Sequence, residues 1–309
     1  MIICCSSQKY YQFFLDKAGS DKFLGISIDT IFTALITIGI FILGFWLNKK
    51  NDERKEYDLL IEVRSYFLQL LDILIESTKK QLEAFGDFIN ELKEEKENDY
   101  VIQSYSGFTT YDIDQIPNEK LFKIFVYYKL DSGKQDAIKL FKEMITKIGL
   151  IRNISGSWQK QFQDFLESWK RVDEEYNRNA RLVEDFINKT VHLAHKAGDI
   201  SNDDFLKRFD TIVLNWQKMD NHVDKFVMMK HLIEPLHKLC QETPKDTRTL
   251  DLVRPIMGCI YAFANKMKLN EVYIGLFTAY KTRLEEAKKG IKDSINAIEK
   301  LKDKKPGII

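Results

Sequence analysis

The sequence is poor in residues that break helices. Only five of its 309 residues are proline and 14 are glycine. That scarcity disfavours a fold of many short strands and tight turns and favours long helices. Cysteine is also sparse. Cys4, Cys5, Cys240 and Cys259 are the whole complement, and the last two lie nineteen residues apart, which is neither a zinc spacing nor a disulfide framework. Cys240 and Cys259 read as small buried hydrophobes. Cys4 and Cys5 lack the apolar stretch that precedes a lipidation site. An excess of one charge is missing too: 47 Lys and Arg stand against 46 Asp and Glu, for a formal net charge of +1. A nucleic-acid-binding chain carries a basic excess or stripe, so no nucleic-acid partner is expected.

The common catalytic signatures are absent as well. Ser132-Gly133-Lys134 lacks the upstream glycine and the strand of a phosphate-binding loop. No G-x-G-x-x-G, G-x-S-x-G, H-E-x-x-H or kinase signature occurs. Enzymes of the α/β families hold their chemistry on strand-borne loops, and the pattern offers no strands to hold it.

What the chain does have is a long apolar run near its start. Residues 30–47 read TIFTALITIGIFILGFWL, without a charge. At 1.5 Å per residue, about 20 residues cross a hydrocarbon core of about 30 Å. A core helix of this length would show a polar face; this one shows scattered Thr and Gly. The run starts late for a signal peptide and is followed by Asn48-Lys49-Lys50 rather than a small-x-small cleavage site. The reading is a transmembrane helix over residues 26–47, with 1–25 as a short non-cytosolic segment. Lys49, Lys50, Arg54 and Lys55 follow the run at once, whereas Lys9, Lys17 and Lys22 are spread among Asp16, Asp21 and Asp29 before it. The positive-inside rule then places the C-terminal side in the cytosol, with Trp46, Lys49 and Lys50 anchoring the boundary. The aromatic group Tyr10, Tyr11, Phe13 and Phe14 suits either the outer membrane–water boundary or a frayed terminal helix.

Beyond the span, residues 48–98 contain no proline and one glycine. Leu71, Ile75, Thr78, Leu82, Phe85, Ile89 and Leu92 step by four and three, the alternation of a helix seam. Leu60, Val63 and Phe67 extend it toward the membrane. The seam suits a coiled coil with a second copy, or packing against the chain's own later helices. The extra apolar residues Leu59, Ile61, Leu70, Ile73 and Leu74 broaden the stripe and favour the second. Leu71, Ile75, Leu82, Phe85, Ile89 and Leu92 are the candidate interaction residues.

Residues 94–99 form a charged helix end, and 99–117 an ordered loop rich in β-branched and aromatic residues, with room for a short strand pair. From 118 to 309 the pattern is helical again. Asn118 is the expected N-cap of the next helix, Asp131-Ser132-Gly133 and Ser155-Gly156-Ser157 are expected breaks, and Gly198 an expected terminus. Ser201 with Asp204 resembles a capping box. Pro235 is expected to kink its helix, and Thr243-Pro244 to open the last one. The expected fold is all-α: one N-terminal transmembrane helix continuing into a long helix, then a cytosolic antiparallel helical bundle.

Candidate chemistry is thin. His192 and His195 share a helix face with Glu184 and Asn188, but a metal there needs ligands from another helix. Glu234-x-x-His237 has di-iron spacing, with His231 nearby, yet occurs once where such sites use two. Asp173-Glu174-Glu175 reads as a solvated face, and the basic tail at 300–305 as a plain terminus. No cofactor is expected. The expected partners are the lipid bilayer and a protein, either another chain or a second copy. The leading functional expectation is a non-enzymatic scaffold, adaptor or sensor acting through helix–helix contacts at the cytosolic face of a bacterial-type inner membrane. The alternatives are a membrane effector whose clustered spans disturb the bilayer, and a metal-dependent enzyme using His192 and His195.

Overall fold

The computed structural model of the protein describes residues 22–23, 26–94, 100–197 and 203–303. Among these the fold is all-helical apart from a two-residue antiparallel pair, β1 (Lys22–Phe23) with β2 (Ile26–Ser27), and one isolated bridge between Lys129 and Asp303.

The absence of proline after the apolar run has its full consequence in α1 (Ile28–Lys93), a single helix of 66 residues, about 99 Å long at 1.5 Å per residue. Asp29 in its first turn and Lys93 in its last match the helix dipole. The run and the seam are thus parts of one uninterrupted rod.

The segment after α1 returns along it. Tyr100 packs its ring on Phe88, Phe165 and Trp169. The Gln103 carbonyl accepts from Gln81 Nε2 at 3.2 Å. Gly107 lies against Ser77 and Ile73, so close that a Cβ would fall 2.2 Å from Ser77 Oγ. The short helices α2 (Tyr111–Asp114) and α3 (Asn118–Phe122) and a π turn (Lys123–Tyr127) continue the descent. Phe125 then meets Phe67, and Tyr128 meets Tyr57. Contact positions on α1 therefore fall from 88 to 57 as the segment advances from 100 to 128. This strap brings the chain back to the end of the rod nearest the apolar run.

From there α4 (Asp131–Ala197) climbs again, 67 residues without a break. After α5 (Asp204–Gln217), α6 (Lys225–Met228) with a π turn (Met229–Ile233), and α7 (Glu234–Glu242), the chain descends as α8 (Thr247–Lys300). Helices α4 and α8 run in opposite directions: Gly258 touches Asn179, Phe263 touches Tyr176, Tyr273 touches Phe165, and Gly290 touches Lys147. Helix α8 also opposes α1, through Asn270 to the Leu92 carbonyl, Phe277 to Phe85, and Arg64 to Glu299. At the base, Lys129 is almost wholly buried, donates to the Leu301 carbonyl at 3.0 Å and pairs with Asp303 at 2.6 Å.

Two hydrophobic cores result. One joins α1, the strap, the first half of α4 and the last part of α8, around Phe67, Phe85, Phe88, Phe125, Phe165 and Phe277. The other forms a head from the second half of α4, α5 to α7 and the start of α8, around Phe205, Phe209, Trp216, Leu236 and Ile256. Phe88 alone makes edge contacts with Tyr100, Phe162, Phe165 and Phe277, the arrangement that aromatic quadrupoles favour.

Several local expectations give way. No break occurs at Ser155-Gly156-Ser157: Ile151, Ile154 and Trp158 are buried in the core around the stretch and hold it helical, and Ser155 and Ser157 donate their hydroxyls to the Arg152 and Asn153 carbonyls. Asp131-Ser132-Gly133 opens α4 instead of separating two helices. Pro117, not Asn118, precedes α3, which has no side-chain cap. The cap of α5 is Asp203, whose carboxylate accepts from the Leu206 amide; Ser201 and Gly198 lie outside the described residues. Thr243 closes α7 rather than opening α8, and Asp246 caps α8. Pro235, by contrast, interrupts its helix as expected: the stretch from Lys225 to Glu242 turns from α to π over Met229–Ile233 directly before it and resumes as α7. The loop expected at 99–117 has no strand pair among its described residues; it is an extended strap with one helical turn.

Candidate functional site

The apolar run occupies the first third of α1. None of its 18-residue apolar window is buried within the chain, and Phe32, Leu35, Ile40, Phe41, Leu43 and Phe45 are exposed. By length and composition this is one helix that could span a membrane. Trp46 is also exposed, and the Lys50 ammonium lies 4.8 Å from its ring centre. Lys49 is exposed beside it. The aromatic group at 10–14 lies outside the described residues.

Between this run and the body is a short bare stalk, its residues nearly all exposed from Asn48 to Glu56. The body begins where Glu56 pairs with Lys123 at 3.0 Å and Tyr57 stacks edge-on with Tyr128. Burial raises the Tyr57 phenol above its ordinary pKa, with Asp303 adding to the effect.

The six candidate interaction residues are brought together, but inward. Leu71, Ile75, Leu82, Phe85, Ile89 and Leu92 are all buried, covered by α8, α4 and the strap. The seam belongs to the chain's own core and offers a partner no free face. Of the residues that broaden the stripe, Leu59 and Ile73 are more than half exposed on α1, as is Tyr66, which sequence reasoning did not name, and half-buried Val63 and Leu70 lie between them against the core.

At the far end of the head, Arg248 ties two helix starts together. Its guanidinium donates to Asp203 at 2.8 and 3.1 Å and to Asp246 at 2.9 and 2.6 Å, and lies 4.5 Å from the Phe205 ring centre. Asp203 and Asp246 are the N-caps of α5 and α8. Hydrogen bonds from Arg248 hold both carboxyls below the usual carboxylate range and raise the guanidinium's own affinity for its proton. A shallow open cleft beside them is lined by Phe205, Glu242, Thr243 and Pro244. Arg208 pairs with Glu242 across it. All of these charges are engaged in holding helix ends, which is a structural task.

Where the two cores meet, Lys225 donates to Asp173 at 2.6 Å. Lys266, buried, lies 3.9 Å from the same carboxylate and 4.8 Å from the Trp169 ring centre. Asp173 thus belongs to a half-buried ion cluster rather than the solvated face expected of it. Burial pushes the Cys240 thiol up to about 11 and the Cys259 thiol up to about 12, so both are inert at neutral pH.

His192 is exposed on α4, and the side chain of His195 lies outside the described residues. Among the described residues no group of three or more His, Cys, Asp or Glu is placed to hold a metal ion. Comparison with protein-family models, with curated proteins and with solved structures found no match.

Proposed function

We propose that this chain is a single-pass membrane protein whose helical body holds a partner, or a second copy of itself, at the cytosolic face of the bilayer. It acts as a scaffold, adaptor or sensor rather than as an enzyme. One observation carries the reading: the fully exposed apolar run and the buried core seam lie on the same unbroken helix, α1. A fully apolar surface of that length in water is strongly unfavourable, at roughly 25 cal/mol per Å² of apolar area, and a bilayer relieves it. The unbroken rod makes span and body mechanically one piece. A change in where spans stand relative to one another is then transmitted to the body without a hinge. The cluster Lys49, Lys50, Arg54 and Lys55 directly after the run supports a cytosolic body, and Lys50 over Trp46 suits the headgroup level.

Two measurements test this on the full chain. Alkaline carbonate should leave the protein in the membrane pellet; release into the supernatant refutes the anchor. A membrane-impermeant maleimide applied to intact cells under mild reduction should label Cys4 and Cys5, the cysteines ahead of the run, without lysis. Labelling only after lysis inverts the orientation.

A further inference from the structure

The end of the body nearest the apolar run collects tyrosine and lysine. Tyr57 and Tyr128 meet edge-on at 5.0 Å, Tyr127 meets Tyr128 edge-on at 5.3 Å, and the Lys134 ammonium lies 5.2 Å from the Tyr127 ring centre. Tyr127 is 57% exposed, and Leu130, Lys300 and Lys302 are exposed at the same end. The close of α8 is pinned there: the Leu130 amide donates to the Lys302 carbonyl at 3.1 Å, and the Leu301 side chain packs over Gly133. Residues 123–134 and 299–305 together hold seven lysines against three carboxylates, in a chain whose net charge is +1. Two of those carboxylates, Glu299 and Asp303, are already engaged by Arg64 and Lys129. The stalk at 48–58 adds four basic and four acidic residues and leaves the excess as it is.

We infer that this end of the body is a second membrane contact, a docking surface for the anionic lipid headgroups of the leaflet from which α1 emerges. The inference rests on the membrane reading above. Tyrosine pairs an apolar ring with a polar tip and lysine an apolar stem with a charge, the combination that settles at headgroup level. Basic residues held close to an anionic leaflet are attracted to it over about a Debye length. The bilayer is also the surface that the unbroken α1 brings to this end of every copy, since span and body share one helix.

The heights agree. Tyr57, where the body begins, lies eleven residues beyond Trp46, about 16 Å along the helix. Headgroups fill roughly 5–8 Å of that height. The body hangs to one side of α1, because α4, α8 and the strap cover its buried face while Leu59 and Tyr66 stay exposed on the other. Helices pack about 8–10 Å apart, so the outer edge of the body stands roughly 15 Å from the α1 axis. A tilt of about 20°, ordinary for a membrane helix, lowers that edge by roughly 5 Å, and the lysine stems reach across the rest. With no hinge in α1, docking and tilting are one motion. The anionic lipid content of the leaflet is thereby converted into the angle at which the head is held.

The test uses the full chain in lipid nanodiscs, with Cys4 and Cys5 changed to Ser and Cys240 and Cys259 left buried. A maleimide fluorophore is placed at Ser132→Cys, at the base, or at Tyr261→Cys, in the head. The quencher is phosphatidylcholine spin-labelled on its headgroup. The discs are phosphatidylcholine alone, or the same with about 30% phosphatidylglycerol as the anionic lipid. Quenching at position 132 should be stronger in the anionic discs and should fall to the neutral level at about 1 M salt, with none at position 261. Lys134→Gln with Lys300→Gln and Lys302→Gln should weaken docking about fivefold per lysine, near 100-fold together, and bring the anionic discs to the neutral level. Lys218→Gln with Lys230→Gln and Lys245→Gln, the same charge change in the head, should leave quenching as it was. Equal quenching at position 132 in both lipids, quenching at 261 as strong as at 132, or equal loss from the two triple variants overturns the docking surface while the chain stays in the disc. Failure of the chain to enter discs, together with its release by carbonate, takes the anchor down as well. Circular dichroism of each variant should match the parent, and a triple variant that keeps its helicity and still docks on anionic lipid refutes the role of these lysines.

Discussion

Replacing Arg248 by Ala should loosen the far end of the head without unfolding the rest. The guanidinium makes four hydrogen bonds to two carboxylates. Its side chain is 32% exposed and those of Asp203 and Asp246 are 34% and 19% exposed, so these are neither fully buried pairs nor free surface pairs. Charge-assisted hydrogen bonds contribute about 1.5–3 kcal/mol and exposed ion pairs about 0.2–1 kcal/mol. Solvent screening at this exposure sets each carboxylate pairing near ~1 kcal/mol, and the guanidinium over Phe205 adds about 0.5–1 kcal/mol. The expected loss is roughly 2–3 kcal/mol, which is about 30- to 150-fold in a local opening equilibrium. Amide hydrogen exchange at neutral pH reads this directly: the first turns of α5 and α8 should exchange faster by that factor, and the Phe85 region of α1 should not change. Arg248→Lys keeps the charge but loses the planar fork, and should recover only part of the protection.

The pH dependence has a definite sign. Both carboxyls are held below their usual value in the folded state by the bonds from Arg248. Their contribution is therefore complete above the unfolded carboxylate pKa of about 3.9 and is lost as pH falls through the lower folded values. The stability gap between wild type and Arg248→Ala should be widest at neutral pH and should shrink toward about pH 3. Unchanged exchange in the variant, full recovery by lysine, or a gap that does not vary with pH would each refute the reasoning.

Phe88→Ala should cost about 3–5 kcal/mol in thermal or denaturant unfolding of the detergent-solubilised chain, since four rings close on Phe88; Tyr66→Ala, on the exposed face of the same helix, should cost within about 0.5 kcal/mol. Equal losses would contradict the assignment of the two faces. Gly107→Ala should destabilise by about 1–3 kcal/mol, because its Cβ would collide with Ser77 and press Ile73. Adding Ser77→Ala should restore part of that loss, and a lack of rescue would show that the strap does not lie there. Cys240 and Cys259 should stay unmodified by a maleimide at about pH 8 until denaturant is added, given thiols pushed up to about 11 and about 12; labelling of the folded chain would contradict their burial.

The sequence by itself determined the class of structure. Scarce proline and glycine leave helix as the available backbone state, and the uncharged run at 30–47 marks a surface that the folded chain does not bury. The four-and-three spacing from Leu71 to Leu92 also identified the principal buried seam of α1, because a helix repeats its faces at that interval wherever it packs. Periodicity alone does not say what lies on the other side of a seam, and the tertiary structure decided it: the chain's own α4, α8 and strap. The irregular composition of residues 100–117 suggested a loop, yet only the fold revealed a strap running back along α1, meeting Ser77 and Ile73 through Gly107 and leaving Leu59 and Tyr66 exposed. Which half of a face is covered depends on the path of a segment distant in sequence, and that path carries no local pattern. The same holds for Arg248, whose two partners lie two and forty-five residues away. It holds too for the Ser155-Gly156-Ser157 stretch, where packing of a long helix overrode residues that locally favour a turn. Local sequence fixes periods and breaks; the joining of one period to another is set by contacts between distant parts of the chain.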